Sequence, residues 1–197
     1  MRDIVVSNLS KAFEGKQVLR DVSLRIPKGQ CTCLMGKSGM GKTTLLNILL
    51  GFVLPDSGTV SGLPKRIAAV FQEDRLCEGF SAVDNIRFVT GNRVAERDIL
   101  AHLHALGLRD QDARQKVSTL SGGMRRRVAL ARAVLYDADV VILDEAFKGL
   151  DADTRQQAIA YVRQHTQGKT LLAVTHEQEE ARLLGGQVVH LGDEGDL

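Results

Sequence analysis

The sequence predicts an α/β fold: a mostly parallel sheet with helices on both faces, an N-terminal antiparallel β region and an inserted α-helical segment. Cys31-Thr32-Cys33-Leu34-Met35 reads as a short apolar strand. It runs through the glycine-rich Gly36-Lys37-Ser38-Gly39-Met40-Gly41-Lys42-Thr43 into the helical Thr44-Leu45-Leu46-Asn47-Ile48-Leu49-Leu50. Strand, glycine loop and helix in that order make one βα unit. Val140-Val141-Ile142-Leu143 and Leu171-Leu172-Ala173-Val174-Thr175 are unbroken apolar runs, the pattern of parallel strands buried on both faces. From about Asp84 to Ala133 the apolar residues recur at helical spacing instead, which marks a helical insertion between two strands of the sheet.

A chain of 197 residues suits one domain with a sizeable core. The expected division is a core segment at about 1–78 and 134–197 around a helical segment at about 79–133. A formal net charge of +2 gives no electrostatic case for nucleic acid as the main partner. The three cysteines, Cys31, Cys33 and Cys77, are odd in number and too few for a disulfide framework, which suits a reducing compartment. Cys31 and Cys33 share a strand face, and with no further His or Cys pair to complete a ligand set they are read as core packing. Met1-Arg2-Asp3-Ile4-Val5-Val6 shows no signal-peptide h-region, and no apolar run is long enough to span a membrane. The expectation is a cytoplasmic chain.

In chain order, Val22, Leu24 and Ile26 alternate with Ser23 and Arg25 as a strand with one buried face. Pro27-Lys28-Gly29 turns into the strand that feeds the glycine loop, and Gly51 stops the helix after it. Pro55-Asp56-Ser57-Gly58 reads as a turn, and Ile67-Ala68-Ala69-Val70-Phe71 as a buried strand with Gln72 at its end. Ile99, Leu103 and Leu106 form one apolar face of a helix over 98–106 that Gly107 ends. A further helix from about Met124 places Val128, Ala131 and Leu135 on one side. Asp151 is an N-cap for a helix from about Ala152 to Gln167, closed by Gly168. Gly36, Gln72, Asp144 and His176 all follow strands of one open sheet, so they are expected to converge outside its carboxyl ends.

The loop Gly36–Thr43 fits G-x-x-x-x-G-K-[ST] at every fixed position, in the required context. Its glycines let backbone N–H groups converge on an anion, and the helix N-terminus adds partial positive charge. Lys42 then reaches the β- and γ-phosphates and the Thr43 hydroxyl ligates Mg²⁺. The motif predicts a P-loop NTPase. Asp144-Glu145, after an apolar strand, supplies the carboxylate pair such a site needs: Asp144 for the metal, Glu145 to orient or deprotonate water.

Leu120-Ser121-Gly122-Gly123-Met124, followed by Arg125-Arg126-Arg127-Val128-Ala129-Leu130-Ala131-Arg132-Ala133, is the stretch that narrows this further. Here the sequence resembles the ATP-binding cassette (ABC) family, the ATPase subunits of ABC transporters, over essentially the whole chain and with the motifs in the family's order. The resemblance carried by residues 120–133 implies the RecA-like form of the P-loop fold, and that Ser121, Gly122 and Gly123 of one subunit close over the γ-phosphate of ATP held by a second copy, in a head-to-tail dimer. It implies that Phe13 stacks on adenine and that Gly36 to Thr44 cradle the phosphates. Gln72 contacts Mg²⁺ and water and senses the membrane partner, Asp151 belongs to the loop that crosses the dimer, and His176 bonds the γ-phosphate. The arginines after Gly123 are read as a solvated helix face rather than a nucleic-acid contact.

The sequence departs from the family pattern at Met124 (usually Gln), Phe13 (more often Tyr), Ala146 (often Pro) and Lys148 (often Ser). Lys148 adds positive charge beside the dimer seam. By resemblance the chain drives a separate transmembrane permease from the inner face of the membrane, with an extracytoplasmic substrate-binding protein as a further partner. The region from Gln72 to Phe88 is expected to receive the permease, and Phe71-Gln72-Glu73-Asp74-Arg75-Leu76 is similar to importer subunits of the nitrate, sulfonate and taurine group. Two other classes stay open at this point: an ABC ATPase acting on nucleic acid or the ribosome, and another P-loop enzyme such as a kinase or switch GTPase.

Overall fold

The computed structural model describes residues 2–191, the side chain of Asn92 excepted. Met1 and residues 192–197, the outer limits of the expected core segment, lie outside the described residues. Strands β1 (Ile4–Phe13) and β2 (Lys16–Ile26) make an antiparallel hairpin. Its two-residue turn, Glu14-Gly15, has φ of 48° and 78°, the left-handed pair that matches the twist of the flanking strands. Ile4 pairs with Ile26 and Val6 with Leu24, so these four share one buried face.

Strand β3 (Cys31–Met35) leads through the glycine loop into helix α1 (Lys42–Leu49), and Gly51 follows it with φ of 75°. Ser57 and Gly58, expected in a turn, instead begin strand β4 (Ser57–Ser61), which pairs antiparallel with β1. Its sequence, Ser-Gly-Thr-Val-Ser, has one apolar residue, so the strand is recruited by the edge of β1 and not by its own pattern. Strand β5 (Ile67–Val70) stops one residue before Phe71.

The inserted stretch is helical, as its spacing predicts: α2 (Ala82–Thr90), α3 (Glu96–Ala105), α4 (Asp110–Arg114) and α5 (Gly122–Leu135). Ser81 and Asp84 form a reciprocal capping box at the start of α2. Helix α5 begins two residues before the expected Met124 because the Ser121 hydroxyl caps it, accepting from Met124 N–H at 3.2 Å. Strand β6 (Val140–Asp144), helix α6 (Ala152–His165), strand β7 (Thr170–Val174), helix α7 (Gln178–Leu184) and strand β8 (Gln187–His190) complete the described chain. Asp151 caps α6 by accepting from Thr154 N–H at 3.0 Å, and the helix ends at His165, two residues short of the expected Gln167.

The second sheet is parallel, in the order β5-β6-β7-β3-β8. Alternation along its strands divides the interior into two cores. Val140, Ile142, Leu172, Val174 and Leu34 face α1 and the antiparallel sheet, while Val141, Leu143, Leu171, Ala173 and Cys33 face the core of the later helices. Both faces are covered, which is why the central strands read as unbroken apolar runs rather than alternating ones.

Candidate functional site

The strands β5, β6, β7 and β3 are neighbours in that order; Asp144 is the last residue of β6, and Gln72, Glu145, His176 and Gly36 follow the carboxyl ends. Sheet order therefore brings the predicted groups to one edge. The glycine loop sets the geometry of its centre. Gly41, at φ of 87°, is the N-cap of α1, and no side chain caps the helix in its place. A Cβ at Gly41 would lie 2.8 Å from Val18 O and 2.5 Å from Leu19 Cδ2, so only glycine lets the loop pack this close to β2. Lys37, Ser38 and Gly39 are exposed and Met40 is half-buried, with Lys37 N–H directed at Met40 Sδ at 3.2 Å.

Lys42 is buried and folds back across the loop, its Nζ donating to Gly36 O at 2.7 Å and to Lys37 O at 2.9 Å. Burial pushes its pKa down, against the nearby carboxylates of Glu145 and Asp144. Thr43 Oγ1 lies 3.5 Å from Asp144 Oδ2, so two hard oxygen ligands from α1 and β6 meet at the mouth of the phosphate loop. Asp144 is buried, and burial followed by the charge of Glu145 raises its pKa. A buried carboxylate whose charged form is penalised, beside a hydroxyl, is a site that a divalent cation would satisfy. Among the described residues no cluster of three or more His, Cys, Asp or Glu could hold a metal by itself.

Glu145 sits in a strained left-handed conformation, φ of 46°. Its Oε1 is 2.9 Å from His176 Nε2 and its Oε2 accepts from Lys148 Nζ at 2.8 Å. The Lys148 hydrogen bond is the largest cause holding its pKa below the ordinary carboxylate value. His176 is exposed, but the loop around it is pinned: Thr175 Oγ1 accepts from Glu177 N–H at 3.0 Å and donates to buried Glu180 at 2.5 Å.

A hydrogen bond thus joins Thr43 to Asp144, and Glu145 is in contact with His176. Phe13 is exposed at the end of β1, with Lys11 Nζ 5.3 Å from its ring centroid. Gln72 is exposed beyond β5. Thr44 is half-buried in the first turn of α1. Ser121, Gly122 and Gly123 form the N-terminal tip of α5, and a Cβ at Gly123 would lie 3.4 Å from Leu150 Cδ2. The tip is therefore next to the loop that carries Asp151. Among the described residues, no hydrogen bond or ion pair links Ser121 or Asp151 to the glycine loop, Asp144, Glu145 or His176.

The arginines of α5 correct one expectation, because they do not form a solvated face. Arg126 is buried and donates from Nη1 to Phe71 O at 2.6 Å and from Nη2 to Gln72 O, while its Nε pairs with Asp74 at 3.1 Å. Arg132 donates to Arg75 O at 2.9 Å and to Asp74 O at 3.1 Å. Arg75 in turn stacks over the Phe71 ring, 3.7 Å from its centroid. These guanidiniums fix the segment that carries Gln72 onto the helix whose tip is Ser121. Sequence reasoning missed them because a basic run on a helix carries no signal of which carbonyls it meets. Replacing Arg126 by Ala is expected to lower stability by about 2–4 kcal/mol, since it strands two carbonyls and a partly buried carboxylate. Denaturant unfolding measures this.

Residues 19–148 match the family model described as ABC transporter. The chain is 38% identical over 195 residues to the aliphatic sulfonates import ATP-binding protein SsuB 1 of Paracoccus denitrificans, covering 96% of this chain and 79% of that one. It is 39% identical to the taurine import ATP-binding protein TauB of Roseobacter denitrificans, covering 96% of this chain and 77% of that one. Among solved structures it is similar to the dimeric structure of MJ0796, a bacterial ABC transporter cassette, with a TM-score of 0.83 at 28% identity over 95% of this chain and 94% of that one. The same figures hold for the dimeric post-hydrolysis state of that cassette bound to ADP and Pi.

Proposed function

The chain belongs to the ABC transporter family as an ATP-binding and ATP-hydrolysing subunit, and from that premise we propose that two copies share two ATP molecules head to tail to drive an importer. One observation carries the sharing. Among the described residues, no hydrogen bond or ion pair within one chain joins the phosphate loop and its carboxylates to the Ser121-Gly122-Gly123 helix tip, and we read the two as halves of one anion site. A second copy related by a two-fold axis would complete both halves at once. The dimeric cassettes of the same fold support this.

In each shared site Gly36 to Thr44 cradle the triphosphate through backbone N–H groups, and Lys42 turns from the loop carbonyls to the β- and γ-oxygens. Thr43, Asp144 and Gln72 would hold Mg²⁺, which supplies positive charge against the phosphate oxygens. Glu145 orients the attacking water and takes its proton, and His176 hydrogen-bonds the γ-phosphate. Phe13 stacks on adenine. Ser121, Gly122 and Gly123 of the second copy close over the γ-phosphate with a hydroxyl and helix N-terminal amides, and Asp151 lies in the loop that crosses the seam.

No helix among the described residues is long and apolar enough to cross a membrane. The import proteins among its relatives support assigning the pore to permease subunits on whose cytoplasmic face the dimer sits, with an extracytoplasmic binding protein to deliver cargo. Support for the docking region comes from exposed aromatics within and beside 72–88. Phe80 and Phe88 stand edge to face 4.9 Å apart and about half exposed, and the exposed Phe52 stacks against Phe71 at 6.2 Å between ring centroids. The sulfonate and taurine import proteins among its relatives make a small organosulfonate the proposed cargo class.

The rate of ATP hydrolysis per chain, measured against protein concentration, tests the sharing. The expected rate rises with concentration, and Ser121→Ala lowers it by about tenfold or more. Ser121→Asp keeps a good N-cap yet sets a negative charge against phosphate, so it is expected to preserve the melting temperature and lose still more turnover. A per-chain rate that is flat with concentration and intact in both variants would contradict the sharing.

A further inference from the structure

The position of Lys148 has a role in the family pattern only as part of a crossing loop, yet here its ammonium holds Glu145 directly. Lys148 Nζ donates to Glu145 Oε2 at 2.8 Å, and its backbone N–H donates to Glu145 O at 3.2 Å. Side chain and main chain therefore close the same four-residue turn. The other carboxylate oxygen, Oε1, is 2.9 Å from His176 Nε2. Both oxygens of the proposed base are engaged, and the histidine proposed for the γ-phosphate is engaged with them. The Lys148 side chain is 65% exposed, whereas that of Glu145 is 18% exposed. The ammonium thus stands on the outer side of the turn, three residues before Asp151 and on the surface that a second copy is proposed to cover.

We infer that Lys148 is a positioning residue that latches the Glu145 carboxylate into its turn, with Oε2 occupied, until the crossing loop moves against a second copy. This rests on the proposed role of Glu145 as base. The physical logic is a mechanical link. Glu145 is the first residue of the turn and Lys148 the last, so a change in the loop's path separates ammonium from carboxylate. Separation frees Oε2 to accept a proton from water. A partner surface that draws the ammonium away therefore raises the active fraction of Glu145, and a chain alone keeps that fraction low. An exposed i,i+3 pair is weak, so the latch biases an equilibrium and does not block it.

Lys148→Met, which keeps the alkyl stem and removes the charge, tests this in the full chain. The expected result is a kcat about two- to fivefold above wild type at low protein concentration, the population shift that an exposed ion pair supports, with KM for ATP unchanged. Lys148→Arg restores the charge and is expected to bring kcat back toward wild type. A Lys148→Met kcat equal to or below wild type, or a change confined to KM, overturns the latch. Glu145→Gln measured alongside separates the two claims. If that variant is inactive and Lys148→Met shows no rise, the latch fails alone; if Glu145→Gln turns over like wild type, the assigned base fails and the latch with it.

Discussion

Glu145→Gln is expected to lower steady-state ATP turnover by about 10²- to 10⁴-fold, the range set by losing a positioned general base, while leaving ATP affinity near wild type. The amide has the shape of the carboxylate but cannot take a proton from water. The groups that would grip the triphosphate are separate: Lys42 is anchored to the loop carbonyls and Thr43 to Asp144, not to Glu145. The substitution also removes the ion pair to Lys148, so loop stability is expected to fall by no more than about 1 kcal/mol. Steady-state turnover combined with titration calorimetry separates the two effects. Turnover like wild type would mean that the catalytic carboxylate lies elsewhere.

Lys42→Ala acts on binding instead. Its ammonium is buried with two carbonyl acceptors, in a place where the triphosphate would bring stronger, charged ones. Hydrogen bonds to charged groups are worth about 1.5–3 kcal/mol each, so ATP affinity is expected to fall by about 10²-fold or more, with turnover falling alongside. The loss is expected to be larger than any loss of fold, because the substitution also removes the cost of keeping the ammonium buried. Calorimetry with ATP and a thermal melt of the same sample measure both. Unchanged affinity with a collapsed melt would make Lys42 a brace of the loop and nothing more.

Much of the site is legible in the sequence because it depends on local rules. The βα unit around Gly36–Thr43, the apolar runs ending at Asp144 and before His176, and the Asp151 cap each declare themselves within a dozen residues. The conformation of the glycine loop follows from Gly41, where a side chain would strike β2. What stays hidden depends on partners distant in sequence or on weak pattern. The strand at Ser57–Ser61 is made by its neighbour β1, at an irregular register. The buried Arg126 looks like any surface arginine until the Gln72 segment packs on α5. Lys148 lies three residues from Glu145, yet the sequence gives only its charge. Its contact needs the turn that Glu145 opens at positive φ.

The sharing of ATP between copies is tested most directly by the mass of Glu145→Gln in solution with and without Mg-ATP, by light scattering during size exclusion. The expected result is the 21.5 kDa chain alone and twice that mass with Mg-ATP, reverting when Ser121→Asp is added. A mass that stays at one chain with saturating Mg-ATP, while calorimetry shows the nucleotide bound, would contradict it.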